Sequence, residues 1–143
     1  MRKNITLAAV LTAGILLTGG CASTAKSDLS KLRGTWVGEE ISGEKGECRI
    51  TIEGDSIKFQ GVRSQEWYVG KLSLDPNAKP KQAMVLIGEC GFPKYVNKTA
   101  KAIYKLEGKS LTMAGNEPGN EAVPTAFERD RTSQTRAFVF NRQ

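Results

Sequence analysis

From Thr35 onward apolar and polar residues alternate with a period of two, and small clusters of Gly, Asn, Asp and Pro interrupt the alternation at short intervals. That is the pattern of antiparallel strands joined by turns. It predicts strands over 35–41, 47–53, 56–61, 65–74, 82–88, 99–107, 110–114 and 134–142. Cys48, Ile50 and Ile52 share one face of the second strand, and Ile57 and Phe59 alternate with polar neighbours in the third. In the fourth, Tyr68, Gly70, Leu72 and Leu74 oppose Trp67, Val69 and Lys71. Ala83 to Ile87 is an almost continuous apolar run, the mark of a strand buried on both faces or of a short stretch of deep core. Two prolines in Asp75-Pro76-Asn77-Ala78-Lys79-Pro80 exclude a central strand there. Glu89 to Lys98 and the aperiodic Gly115 to Pro124 read as loops, while 127–132 is ambiguous between strand and loop. Eight antiparallel strands make an all-β domain and can close into a small barrel without edges; a sandwich would use the same strands.

Before Thr35 the period of two is absent. Arg2 and Lys3 precede an apolar run from Ile5 to Leu17, and Leu17-Thr18-Gly19-Gly20-Cys21 follows. A charged start, a short apolar stretch and small residues are the parts of an exported precursor's leader. As a helix, residues 5–17 would reach about 20 Å, short of the roughly 30 Å a membrane span requires. The placement of Cys21 resembles a bacterial lipoprotein signal. The resemblance implies cleavage before Cys21, acyl chains on its sulfur and new amino terminus, and residence in the cell envelope; Ala22 in place of an aspartate implies the outer membrane. Residues 1–20 are then a signal peptide, 21–28 a small polar tether, and 29–143 the folded domain, which opens with about one helical turn from Asp28 to Arg33 ended by Gly34.

Composition narrows the chemistry. The chain has no histidine, which removes Ser-His-Asp and Cys-His nucleophile arrangements and His-ligated zinc or haem. No Asp-x-Asp-x-Asp run marks a calcium loop, and no metal or cofactor is expected. The formal charge of +6 falls by two when Arg2 and Lys3 leave with the leader. The remaining basic residues are scattered among acidic ones, so no nucleic-acid stripe forms. Of three cysteines, Cys21 goes to lipid, leaving Cys48 and Cys90 as a pair in an oxidising compartment. A disulfide between them would stabilise by roughly 4 kcal/mol through the loop it closes; two buried thiols are the other reading.

Lys31-Leu32-Arg33-Gly34-Thr35-Trp36, Ile52 to Phe59, Leu74 to Lys81 and Ile103 to Gly108 followed by Leu111 together resemble an uncharacterised family of small exported lipocalin-like domains abundant in planctomycetes. The similarity runs from Leu29 to Arg142 and implies a fold, since the family has no settled activity. Gly34-Thr35-Trp36 after a helical turn, with Arg142 ending the last strand, is also similar to the calycin arrangement. There an arginine of the final strand covers the tryptophan at the closed end of the barrel, so Trp36 and Arg142 are assigned to structure.

Such a chain is expected to be a monomer attached to the membrane through its N-terminal lipid. Phe59, Tyr68 and Tyr104 are the candidate lining of a site for a small, partly apolar molecule, since they combine apolar walls with hydroxyl tips. The competing expectation is a barrel filled by its own side chains, acting as a structural or protein-interaction lipoprotein. Glu39, Glu40 and Glu66 provide carboxylates of the type glycoside hydrolysis uses, but fifteen acidic residues make such coincidences ordinary. The domain is not expected to be an enzyme.

Overall fold

A computed structural model describes residues 20–143. The leader up to Gly19 and the side chain of Cys21 lie outside the described residues.

Eight strands follow one helix: α1 (Gly20–Leu32), β1 (Gly34–Glu40), β2 (Cys48–Glu53), β3 (Ser56–Gln60), β4 (Trp67–Asp75), β5 (Lys81–Cys90), β6 (Thr99–Glu107), β7 (Ser110–Gly115) and β8 (Arg136–Arg142). Each strand pairs antiparallel with its sequence neighbour, and β1 pairs with β8, so the sheet closes as an up-and-down barrel. Alternation decides which side chains face in. Trp36, Ile50, Ile52, Ile57, Leu72, Ala83, Ala102, Tyr104, Leu111 and Phe140 form the buried interior. The turns at one end are tight, with two residues each at Gly54-Asp55 and Gly108-Lys109. The connections at the other end are long, and that asymmetry gives the barrel a base and a mouth.

The base is closed by α1. Asp28 is buried there and accepts hydrogen bonds from the Tyr104 hydroxyl and the Lys81 ammonium, each at 2.7 Å. Burial alone would raise the Asp28 carboxyl, but these two donors outweigh it and hold it below the usual carboxylate range. Leu32 is buried beside it and Leu29 packs on the same cluster. Trp36 donates its indole N–H to the Leu32 carbonyl at 2.8 Å, and Arg142 lies with its guanidinium carbon 4.2 Å from the indole centroid. The same guanidinium donates to the carbonyls of Lys31 and Arg33. Three otherwise unpaired carbonyls at the helix end are thereby satisfied, and a cation sits where the helix dipole favours one. Gly34 makes the junction possible: its φ is +118°, and a Cβ there would stand 3.0 Å from the Arg142 guanidinium.

The structure departs from the sequence expectation in three places. The helix begins at Gly20, so the stretch expected to be a tether is helical; once the last turn is docked, extension through Ala- and Lys-containing residues costs little. The Ala83–Ile87 run is not buried on both faces, because Met84 and Leu86 point outward with relative exposures of 46% and 51%. β5 continues past Gly88 to Cys90 through a bulge in its pairing with β4 at Val69 and Gly70. Residues 127–132, ambiguous in the sequence, resolve to a loop that carries an isolated bridge from Asp130 to Thr135. Within the 116–135 connection, Val123 and Phe127 pack on the outside of the barrel against Ile103, Ala114 and Ala137.

The Cys48–Cys90 disulfide is corrected: both are free thiols. Cys48 is inward on β2 and Cys90 ends β5, with β3 and β4 between them. Three strand spacings of about 4.8 Å set the two backbones roughly 14 Å apart along the wall, about twice what a disulfide spans. The Cys90 thiol instead donates to the Phe92 carbonyl at 2.9 Å, and burial pushes the Cys48 thiol upward.

Arg142→Ala removes the guanidinium stacking and its carbonyl bonds, and is expected to cost about 2 kcal/mol, read as a Tm lowered by roughly 8 °C in calorimetry. An unchanged Tm would show that the base closes without it. Alkylation without reductant is expected to label Cys90 in the folded chain and both Cys48 and Cys90 after unfolding; label that enters only after reduction would restore the disulfide.

Candidate ligand cavity and its mouth

Inside the barrel, above the plugged base, is a cavity of about 330 Å³. Its existence follows from side-chain size. Ala100 and Ala102 on β6 and Gly115 on β7 face inward on adjoining strands, with Ala102 and Gly115 in register. That wall contributes little volume. The remaining walls are Ile50, Ile57, Val85, Ile87 and Met113 with the rings of Phe59, Tyr68, Phe138 and Phe140. Phe59 meets Phe138 edge to face at 5.3 Å, and Phe138 stacks with Phe140 at 5.8 Å. These rings hold one another in place without filling the centre.

Phe59 and Tyr68 therefore line the cavity as expected from their parity, whereas Tyr104 does not. Tyr104 faces inward too, but it stands beside the base, buried, with its hydroxyl committed to Asp28. Trp36 and Arg142 lie together at the base, away from the cavity lining.

The mouth carries most of the polar groups. Arg136, first residue of β8, points inward and grips Glu40 of β1 through a fork, Nε to Oε1 at 2.9 Å and Nη2 to Oε2 at 2.7 Å. Its remaining arm donates to Glu66, from the 61–66 loop. Arg129 approaches Glu40 at 3.7 Å, so two carboxylates face two guanidiniums. The loop holding Glu66 is pinned by the Gly61 N–H to the Glu66 carbonyl at 2.7 Å and by Gln60 Nε2 to the carbonyls of Gly61 and Arg63 at 3.1 Å. The Glu40 side chain is almost wholly buried. Burial would raise its carboxyl, yet the hydrogen bonds and charge of Arg136, aided by Arg129, hold it below the usual range. A general acid needs the reverse shift. Glu39 sits on the exposed outer face of β1, apart from both.

Across the mouth, Tyr95 of the Pro93–Tyr95 turn donates its hydroxyl to Glu117 of the β7–β8 connection. Lys94 reinforces the bridge, 4.7 Å from the Tyr95 ring centroid and 3.8 Å from the Glu117 carboxylate. Behind it, the buried Asn116 donates to the Ala122 carbonyl at 2.9 Å and accepts from Thr135. Sequence reasoning missed Arg136, Tyr95 and Met113. Arg136 had a signal: it shares the parity of Phe138 and Phe140. Tyr95 had none, because it comes to the mouth through a turn rather than a strand. Among the described residues no cluster of His, Cys, Asp and Glu is placed to hold a metal ion, and no helix is long and apolar enough to cross a membrane.

Because Glu40 has a lowered folded value, its ionised form contributes stability that is fully present above the unfolded carboxyl value, about 4.3. That contribution is lost as pH falls through the folded value. Glu40→Gln is expected to lower Tm at pH 7 and to flatten the fall of Tm on acidification below about pH 4.5. An acid limb as steep as in the parent chain would remove Glu40 from this role. No family model, no curated protein and no solved structure matches this chain.

Proposed function

We propose that this chain is a lipid-anchored lipoprotein of the cell envelope, with the outer membrane as its site, whose barrel binds a small, partly apolar molecule. The observation that carries the reading is the unfilled interior: about 330 Å³ of mainly apolar space beneath a polar mouth. Small eight-stranded barrels either fill their centres with side chains or hold one small ligand, and Ala100, Ala102 and Gly115 favour the second. The anchor follows from Cys21 and its leader. α1 then leads from the lipid to the base, at the end opposite the mouth, so attachment and binding do not compete for the same surface. A helix plugging an up-and-down barrel, with Trp36 beneath Arg142, also supports kinship with the exported lipocalin-like domains.

A second reading, an interaction lipoprotein working through its outer surface, is favoured by one feature. Met84 and Leu86 stand exposed on the same face of β5, two large apolar side chains where solvated residues are usual. The interior of the barrel is indifferent to that reading.

Native mass spectrometry of the chain purified from its host's envelope tests both parts. The expected species starts at Cys21, carries the mass of its acyl chains, and releases a small molecule on activation. A species with residues 1–20 intact and no acyl mass would overturn the anchor. Empty barrels under gentle extraction, together with one reproducible protein partner, would favour the surface reading.

A further inference from the structure

The mouth and lining can be sorted by which polar groups are already committed. Arg136 is bound to Glu40 and Glu66, Tyr95 to Glu117, and Asn116 to Ala122 and Thr135. Gln134 is exposed at the rim. Tyr68 differs: it lines the cavity, and its hydroxyl has no hydrogen-bond partner among the described residues, although the ring is fixed by Phe59, Phe92 and Tyr95. Among the described residues no buried side-chain polar atom lacks a partner, so this hydroxyl is open to solvent, at the boundary between the apolar cavity and the polar mouth. It can donate to a ligand's acceptor without breaking a bond within the protein.

The arginines at the mouth are matched by carboxylates. Glu40 and Glu66 face Arg136 and Arg129, and Glu117 adds a further carboxylate at the rim beside Lys94. A carboxylate ligand would find no uncommitted guanidinium there. Size limits the choice too: at about 30 Å³ per water-sized volume, the cavity accepts roughly ten to a dozen non-hydrogen atoms, too few for a long acyl chain. Four aromatic side chains, those of Phe59, Tyr68, Phe138 and Phe140, offer faces and edges to a ring.

We propose that the cavity selects a small uncharged ring compound bearing one hydrogen-bond acceptor, a carbonyl above all, which the Tyr68 hydroxyl holds while the ring lies among Phe59, Phe138 and Phe140. The inference rests on the binding reading above and specifies its ligand class. Burial pushes the Tyr68 phenol up to about 12, so it remains a protonated donor throughout the physiological range.

Three ring probes of similar size separate the elements of the claim: acetophenone, neutral with an acceptor; ethylbenzene, neutral without one; and benzoate, charged. Each is titrated into the full chain and into Tyr68→Phe while the NMR signals of Phe59, Tyr68, Met113 and Phe138 are followed. The parent is expected to bind acetophenone saturably, ethylbenzene about tenfold more weakly, and benzoate not at all. In Tyr68→Phe the preference for acetophenone should disappear while ethylbenzene affinity is kept. Benzoate binding as well as acetophenone, or a preference that survives in Tyr68→Phe, would overturn the ligand class and leave the binding reading standing. Failure of all three at millimolar concentration would overturn the binding reading itself. If Tyr68→Phe does not fold, the ranking of the three probes on the parent chain decides.

Discussion

The contact on which the barrel depends is the junction where Arg142, Trp36 and the end of α1 meet. Trp36 and Arg142 are register partners across the β1–β8 seam, the pairing that turns a meander into a closed sheet. The guanidinium stacks on the indole and bonds the helix carbonyls, while the indole N–H bonds a third. The seam and the plug are therefore one structure. Each component offsets a cost that the others would otherwise leave: the helix end has orphan carbonyls, the indole has a buried donor, and the arginine has a charge that needs partners.

Sealing the base in this way leaves the remaining interior free to be shaped by residue size. Above Leu72, Leu111 and Tyr104 the inward positions on β6 and β7 shrink to Ala102, Ala100 and Gly115, and the rings of β3, β4 and β8 stand across from them. Interiors normally pack to near crystal density, so an unfilled centre is a specific arrangement rather than slack. The rings around it brace one another by edge and face contacts. Rigid walls and a fixed mouth bridge from Tyr95 to Glu117 pre-form the space, which reduces the ordering a ligand would otherwise have to induce.

Much of this architecture could be read from alternation. All eight strands lie close to where the period of two places them, and the faces of Phe59 and Tyr68 were visible directly, whereas the pairing of Trp36 with Arg142 was an expectation drawn from the calycin resemblance. What failed did so for nameable reasons. Alternation says which way Tyr104 points but not how high along the barrel it stands, and height separates the base from the cavity. The apolar run Ala83 to Ile87 masks its own alternation, because Met84 and Leu86 are outward residues that happen to be hydrophobic. Compartment and cysteine parity suggested a disulfide, yet distance in a closed sheet depends on how many strands intervene, which the order of strands around the sheet reveals. The mouth was the least legible part, since its groups arrive from loops of irregular conformation.

β8 shows how one strand can serve both ends of a barrel. It opens and closes on inward arginines, Arg136 and Arg142, with Phe138 and Phe140 between them on the same face. Each guanidinium covers an aromatic ring, Arg136 over Phe138 at 5.2 Å and Arg142 over Trp36 at 4.2 Å. Their remaining donors go to different acceptors. At the base the partners are neutral backbone carbonyls of a helix end, which the arginine's positive charge complements without cancelling it. At the mouth they are two carboxylates, with Arg129 beside Glu40 as a second cation. Burying a charge requires partners at either end, and at the mouth the carboxylates of Glu40 and Glu66 take up the Arg136 charge beside the apolar centre. The bounds of the cavity are thus set along a single strand: structural closure at Arg142, aromatic wall at Phe138 and Phe140, and a neutralised threshold at Arg136.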